Sequence, residues 1–435
     1  MAQRMLLVVC LALSTLLCGC VPNRLYRRGP LAIQTAPVVN GVPAHFKLAM
    51  IEFDDMGEAW EKCHSLSNPD DCQLTRTLRL IQEEKRRSGD VVVVIFTHGW
   101  KNNASPDNEQ KKNLHDFKGV MERLAAGEDA EVQRLNQTAG ATGTPAKAKS
   151  FIGVYLGWRG QAVAGDVFAT FWNRRDAAQR VGSSDFAEAL YRIMQTTKED
   201  SPKSRVILVG HSFGARVLEN ALTNTFVSLL VPKPGTTGPV GSPLSWAPAD
   251  LIIYVNAATD SFRTKQMIEL MQRTQFGVSR GMLEASGPLF LSVTSTGDEA
   301  TKLAFPLGQH LSAMEKSFRA SYDATTPEAP PQKTFFTKTP GHIPYLLSHV
   351  VQPVQGACTS QPELFRFRTN GQCFEMTPVK GRWNDSPFWV ITVPRAIIKD
   401  HGDIFNTSFM TMIIDFLAQY KVLDSDKPTT MLRTY

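Results

Sequence analysis

The run from Gly210 to Gly214, Gly-His-Ser-Phe-Gly, is the strongest chemical signal in the sequence. An apolar strand candidate precedes it, and a helical pattern follows it through Leu222. A tight turn from strand to helix has little room for side chains beside a strained serine, which accounts for both glycines. The serine hydroxyl would then be exposed at the carboxyl end of the strand. This context predicts Ser212 as a nucleophile, although the five-residue pattern alone is weak.

This strand, serine and helix arrangement resembles the α/β-hydrolase family of serine hydrolases, and the resemblance extends from about residue 47 to residue 420. It implies a nucleophile, an acid and a histidine in that chain order. It also implies an α/β fold with a mostly parallel central sheet flanked by helices. An earlier strand would contribute part of an oxyanion hole.

The segment His98-Gly99-Trp100 follows the strand candidate Val91–Thr97 and resembles the family's His-Gly-x segment. A tetrahedral oxyanion needs two preorganised N–H donors. The resemblance assigns them to the backbone of Trp100 and of Phe213. The alternative is a plain turn at the strand end, with His98 in a structural role.

The resemblance also indicates the histidine and the acid of the site. His401 lies after the last strand candidate and before the C-terminal helix, where a proton-shuttling histidine is expected. Asp298 follows the strand Leu289–Thr294 and is the predicted acid. Asp260, one strand earlier, is the alternative acid, and Glu299 is a remote third. Either aspartate could instead cap a helix.

The elements that must position these residues alternate along the chain. Continuous apolar runs suit strands covered on both faces, and helical periods separate them, which predicts an α/β fold with a mostly parallel sheet. The seven strand candidates are Lys47–Phe53, Val91–Thr97, Ile152–Leu156, Val206–Val209, Leu251–Asn256, Leu289–Thr294 and Trp389–Val393.

A long stretch, about residues 305–387, interrupts this alternation before the predicted histidine. It is expected to form an inserted subdomain that could cover the site. Its aromatic side chains are expected to form a small core of their own, with ligand contact as the alternative. Trp158 and Arg159, at another strand end, either line a substrate pocket or serve packing.

The N-terminus resembles a bacterial lipoprotein signal. An apolar run too short to span a bilayer ends in Leu17-Cys18-Gly19-Cys20, which predicts a signal peptide over residues 1–19 and a lipid-modified Cys20. Plain secretion or an uncleaved anchor is the alternative. Val21 favours the periplasmic face of the outer membrane. Residues 20–44 are predicted as a proline-rich tether, 45–420 as the α/β-hydrolase domain and 421–435 as a C-terminal tail.

Four cysteines remain after the signal peptide and Cys20 are set aside. An even number in an exported chain suggests disulfides. Short spacing favours pairing of Cys63 with Cys72 and of Cys358 with Cys373, with free thiols or cross-pairing as alternatives. Neither pair has metal-finger spacing, so no metal is expected.

Composition narrows the function classes. The 435 residues are 43% hydrophobic and 20% charged, which excludes wholesale disorder, collagen and a polytopic membrane protein. The net charge of +6 comes without a basic repeat, so nucleic-acid binding gains little support.

The combined expectation is an envelope-anchored serine hydrolase of the carboxylesterase or lipase type, working through an acyl-enzyme without a cofactor. Its partners would be a small-molecule or lipid ester and, through Cys20, a membrane; the sequence specifies no oligomeric state. Two alternatives are an envelope lipoprotein that uses the scaffold for binding and an acyltransferase with the same three residues.

Overall fold

The computed structural model describes residues 22–139, 145–161, 170–201, 203–230, 249–273, 287–319, 329–356, 358–359, 364–379 and 386–423. Within them the strands are β1 (Ile33–Gln34), β2 (Val38–Val39), β3 (Val42–Pro43), β4 (Phe46–Glu52), β5 (Val91–Thr97), β6 (Ser150–Gly157), β7 (Arg205–His211), β8 (Leu251–Val255), β9 (Phe290–Ser295), β10 (His349–Val354), β11 (Phe365–Thr369), β12 (Gln372–Pro378) and β13 (Phe388–Val393).

One mixed sheet holds eleven of these strands, in the order β1-β4-β6-β5-β7-β8-β9-β13-β10-β12-β11. The eight strands from β4 to β10 in that order are parallel. Antiparallel pairing is confined to β1 at one edge and to the β11–β12 hairpin at the other. The strand order reverses between β5 and β7, and the crevice at the carboxyl ends of strands at such a point is where α/β proteins place ligands.

Helices cover both faces of the sheet. They are α1 (Gln73–Ser88), α2 (Pro106–Lys111), α3 (Asn113–Ala139), α4 (Thr170–Val181), α5 (Ser184–Lys198), α6 (Phe213–Leu230), α7 (Ser261–Arg273), α8 (Phe305–Ala313), α9 (Gln332–Thr337) and α10 (Thr407–Gln419). Alternate side chains of β5 enter two cores: Val91, Val93 and Ile95 face the side of α1, α5 and α6, while Val92, Val94 and Phe96 face α3 and α10. The chain is therefore a three-layer α/β protein.

All seven strands expected from the sequence are present as β4–β9 and β13, with ends that differ from the expected ones by two residues at most. Their continuous apolar composition matches burial on both faces, and β5 and β6 are buried at every position. The predicted α/β architecture, a mostly parallel sheet flanked by helices, is confirmed.

The segment from residue 305 to residue 387 differs from the expected subdomain. Its strand β10 pairs in parallel with β13, so the segment extends the central sheet. Phe367 of β11 and Phe374 of β12 join the core beneath α10, and Phe335 of α9 joins the opposite core. The expectation of a separate small core is wrong, because the hairpin strands align with the sheet edge and bury their apolar faces on the core already there.

The segment predicted as a tether packs against the protein body over its described part, residues 22–44. β1 pairs with β4, and buried Glu52 accepts hydrogen bonds from the backbone N–H of Tyr26 and of Arg27 at 3.0 and 2.7 Å. A buried carboxylate needs such donors, and this requirement fixes the segment on the protein body. Cys20 and the predicted signal peptide lie outside the described residues.

Two disulfides join Cys63 to Cys72 and Cys358 to Cys373, the pairing that the spacing favours. No helix in the described part of the chain is both long enough and apolar enough to span a membrane. Of the predicted tail, only residues 421–423 are described, and they continue the turn after α10.

Candidate active site

Ser212, His401 and Asp298 meet at the carboxyl edge of the sheet. Ser212 follows β7, Asp298 follows β9 and His401 follows β13. His401 Nε2 lies 2.8 Å from Ser212 Oγ, and His401 Nδ1 lies 2.9 Å from both carboxylate oxygens of Asp298. A carboxylate only accepts hydrogen bonds, so Nδ1 carries the ring proton and Nε2 is left to accept from the serine hydroxyl. The three side chains form one directed chain of hydrogen bonds.

The backbone at Ser212 has a left-handed conformation, with φ of 56°. A residue with a Cβ rarely adopts this geometry, and it brings the serine to the top of a sharp turn between β7 and α6. The turn packs tightly against β5, since a Cβ on Gly214 would lie 2.0 Å from the carbonyl oxygen of Thr97. Only glycine fits at position 214.

The segment His98-Gly99-Trp100 lies directly against the serine. A Cβ on Gly99 would lie 2.6 Å from Ser212 Cβ, so the backbone of Gly99 packs directly against the side chain of Ser212. Among the hydrogen bonds of the described residues, none occupies the backbone N–H of Trp100 or of Phe213. Free donors on both sides of a serine are what an oxyanion hole needs.

His98 fixes the shape of this turn. Its Nε2 accepts from Trp158 N at 3.0 Å and its Nδ1 donates to Gly99 O at 2.9 Å, while Trp158 Nε1 donates to His98 O at 2.9 Å. Burial lowers the pKa of His98 to about 4, so the ring stays neutral and keeps both roles at neutral pH. Trp158 is buried against this ring, so it serves packing.

The loop carrying His401 is held by two neighbouring strand ends. The carbonyl oxygen of His401 accepts from His211 Nε2 at 2.9 Å and from Asn256 Nδ2 at 3.1 Å. Burial, aided by the nearby His401, lowers the pKa of His211 to about 3. A neutral His211 therefore positions His401 without competing for its proton.

Asp298 is fully buried and accepts hydrogen bonds from three donor groups. Besides His401, it accepts from Thr301 N at 3.0 Å and from Thr301 Oγ1 at 2.5 Å. Burial alone would raise the pKa of Asp298, but the nearby His401 and these hydrogen bonds outweigh it and lower the pKa below its usual value. The carboxylate therefore stays ionised beneath the imidazole.

The two alternative acids lie elsewhere. Asp260 Oδ2 is 3.5 Å from Arg216 Nη1, and Glu299 Oε1 is 3.4 Å from Arg395 Nη2. Arg159, once a pocket candidate, pairs with Asp55 at 3.5 Å. Of the predicted acids, the structure brings only Asp298 to His401.

A further pair of residues, which the sequence analysis did not identify, extends the hydrogen-bond chain. Thr301 Oγ1 lies 3.0 Å from His342 Nε2, and His342 belongs to a short turn in the long segment before β13. The single hydroxyl proton of Thr301 already goes to Asp298, so Thr301 accepts from His342. Only the tertiary contact reveals this pair, because 41 residues separate the two positions.

An aromatic wall borders the serine on the side of α4 and α8, formed by Trp100, Phe171, Trp172, Phe213 and Phe305. The Phe171 ring lies 5.0 Å from the Phe213 ring and 6.0 Å from the Trp100 ring, measured between centroids. Phe305, the first residue of α8, lies 6.4 Å from Phe171. Phe171, Phe213 and Phe305 are buried, and Trp100 and Trp172 are partly buried against them, so the side chains packed beside the nucleophile are apolar, which suits a hydrocarbon group.

Comparisons of the chain with protein families, with characterised proteins and with solved structures found no match. In the parts of the chain described above, no three His, Cys, Asp or Glu side chains are grouped to hold a metal ion.

Proposed function

We propose that this protein is a serine hydrolase that cleaves carboxylic esters through an acyl-enzyme intermediate. The observation that carries the proposal is the continuous hydrogen-bond chain Ser212–His401–Asp298, with the serine in a left-handed turn beside two free backbone N–H donors. These are the parts that acyl transfer needs: an activated nucleophile, a base that an acid orients, and donors for the oxyanion.

In the acylation step, Ser212 Oγ attacks the ester carbonyl carbon while His401 Nε2 takes the hydroxyl proton. The carbonyl π electrons move to oxygen, and the backbone N–H groups of Trp100 and Phe213 donate to the oxyanion. The oxyanion collapses, the carbon–oxygen bond to the alcohol breaks, and His401 returns its proton to the leaving alcohol. Asp298 stabilises the imidazolium that forms between these events.

In the deacylation step, water takes the place of the alcohol. His401 removes a proton from water as the oxygen attacks the acyl carbon, and the second oxyanion occupies the same two donors. Collapse releases the carboxylic acid and returns the proton to Ser212. The His401 side chain is 27% exposed, which leaves a route for water to the base.

The proposal includes the α/β-hydrolase fold and attachment to the envelope. The order nucleophile after β7, acid after β9 and histidine after β13 supports the fold assignment. The lipobox-like sequence before Cys20 supports lipid attachment at the periplasmic face of the outer membrane. Two disulfides in the structure agree with an oxidising compartment.

The experiment is labelling of the purified full chain with a fluorophosphonate probe, together with hydrolysis of a water-soluble short-chain ester. We expect the wild type to be labelled, Ser212→Ala to be unlabelled and His401→Ala to be labelled far more slowly. Ser201→Ala, at an equally buried serine before β7, is the matched control and should behave as the wild type. A folded wild type that neither reacts with the probe nor cleaves the ester would refute the proposal.

A further inference from the structure

An exposed apolar stripe runs along the helical segment that follows Asp298. A π-helical turn (Ala300–Ala304) leads directly into α8, and its large apolar side chains recur every three or four residues. They lie on one helical face and are between 58% and 80% exposed: Leu303, Leu307, Leu311 and Met314. The other exposed large hydrophobic residues of the described chain are dispersed, so this stripe is its one contiguous apolar helix face.

The opposite face of α8 is part of the wall beside the nucleophile. Phe305 is buried next to Phe171, and Gly308 O accepts from Trp172 Nε1 at 3.4 Å. Arg175 on α4 donates to Ser312 Oγ at 3.1 Å. One face of α8 therefore packs against the residues beside the candidate site, and the other presents apolar side chains to the solvent.

Cations surround the stripe. Lys302, Lys316 and Arg319 on this segment are exposed, as are Lys333 and Lys338 of the neighbouring α9 region. Among the described residues, exposed carboxylates nearby are Glu315, Glu299, which pairs with Arg395, and Asp176, which pairs with Arg175. A helix with an apolar face and flanking lysines and arginines is typical of segments that lie in the interface of an anionic membrane.

The start of the described chain lies at the same edge of the sheet. Pro22, two residues after Cys20, borders a cleft with Glu52 and Gly157, the last residues of β4 and β6. β4 and β9 are five strand spacings apart, about 24 Å, and β7, which leads to Ser212, lies between them. A lipid on Cys20 and the stripe after β9 would thus flank the nucleophile on one side of the molecule.

We propose that the Leu303–Met314 stripe inserts into the interfacial layer of an anionic bilayer. Together with the lipid on Cys20, it holds the carboxyl edge of the sheet against that surface. The substrate is then an ester of a lipid in the same membrane, whose acyl chain reaches the aromatic wall along α8. This inference rests on the proposed function and on the proposed attachment at Cys20.

The experiment uses the lipidated full chain reconstituted in vesicles of phosphatidylcholine alone or with added phosphatidylglycerol. Hydrogen exchange of the peptide covering residues 303–314 is measured in both. We expect exchange to slow by about tenfold in the anionic vesicles, because insertion removes these amides from water. The Leu307→Ser/Leu311→Ser double variant should lose this protection. Leu135→Ser is the matched control, since Leu135 is an exposed leucine on α3, near the start of β6.

Two ester substrates separate this inference from the proposed function. A water-soluble short-chain ester reports the catalytic residues, and a glycerolipid ester in the vesicle reports the surface. The double variant should cleave the soluble ester at a rate within about twofold of wild type and the vesicle ester at least tenfold more slowly.

Wild-type hydrogen exchange that is equal in neutral and anionic vesicles would overturn the membrane assignment. So would protection that rises with protein density at fixed lipid charge, because a second copy would then cover the stripe. A wild type that does not cleave the soluble ester would instead refute the proposed function.

Discussion

Two neighbouring strands of the sheet, β8 and β9, are each followed by an aspartate, and the two aspartates have different surroundings. Asp260 follows β8 and faces Arg216, whereas Asp298 follows β9 and faces His401. The reason lies in the strand order: β13 pairs with β9 and not with β8, so the loop after β13 delivers His401 to the end of β9. The position of the loop after β13 therefore determines which carboxylate orients His401.

The two ends also differ in charge balance. Glu219 lies near Asp260, and burial, assisted by the negative Asp260, raises the pKa of Glu219 to about 7. At β9, burial would raise the pKa of Asp298, but the nearby His401 and the hydrogen bonds from His401 and Thr301 lower it instead. We expect the β9 end to control the rate of ester cleavage and the β8 end to control stability.

The largest expected effect comes from replacing each aspartate in turn. Asp298→Asn should lower kcat for a soluble ester by about 10⁴-fold, because the amide no longer holds the Nδ1–H tautomer or stabilises the imidazolium. Asp260→Asn should leave kcat within about threefold of wild type, since its partner is Arg216. Steady-state kinetics of both purified variants test the contrast, and similar losses in both would contradict it.

The next effect concerns the hydroxyl that supports Asp298. Thr301→Val should lower kcat by about tenfold with little change in KM, because it removes a charge-assisted hydrogen bond to the carboxylate without changing side-chain shape. Thr301→Ser keeps the hydroxyl and should retain most of the activity. Equal kcat values in the valine and serine variants would show that the hydroxyl does not assist Asp298.

A smaller effect is expected one hydrogen bond further out. His342→Ala should lower kcat by about threefold, because Thr301 loses the donor that polarises its hydroxyl toward Asp298. His342→Gln can still donate an N–H and should restore the rate. Kinetics on the same soluble ester give the comparison, and a glutamine variant as slow as the alanine variant would refute a hydrogen-bonding role.

The effect expected at the β8 end is on stability and leaves the rate of ester cleavage almost unchanged. The pKa of Glu219 is about 7 in the folded chain against its ordinary value of 4.5, so the folded state keeps this proton to higher pH. The stabilisation is present below pH 4.5 and is lost as the pH rises through about 7. Relative to Glu219→Gln, the wild type should therefore lose on the order of 2 kcal/mol of unfolding free energy over this window. Urea unfolding at pH 5 and pH 8 measures the difference, and a constant difference would contradict the assignment.

The difference between the β8 and β9 ends shows which parts of the candidate site could be predicted from the sequence. The parallel strands were predictable because they are continuously apolar, and residues at their carboxyl ends must share one edge. This reasoning, together with the chain order that the family resemblance implies, pointed to Ser212, Asp298 and His401. It ranked Asp260 second without excluding it, because the local sequence does not indicate which strands will be neighbours in the sheet.

Other parts could not be predicted, or had a signal that the sequence analysis did not use. Asn370 and Gly371 join β11 to β12 with φ of 48° and 76°, the two-residue turn that an Asn-Gly pair favours, so this hairpin was recognisable. His342 had no such signal, since a lone histidine in a loop is ordinary. The docking of residues 22–44 depends on Glu52, whose partners are set only by the folded chain.

The close contact between the turns that carry Gly99 and Gly214 limits how the selectivity of the proposed hydrolase can be changed. A methyl group at either position would collide with Ser212 or with the Thr97 backbone, so the two turns tolerate no variation in a mutant library. Substitutions are better tolerated at Phe171 and Phe305, between α4 and α8, because there the contact is between two side chains and involves no backbone. Directed evolution for new acyl groups should therefore draw its successful substitutions from that helix pair, while the donors facing the oxyanion remain constant.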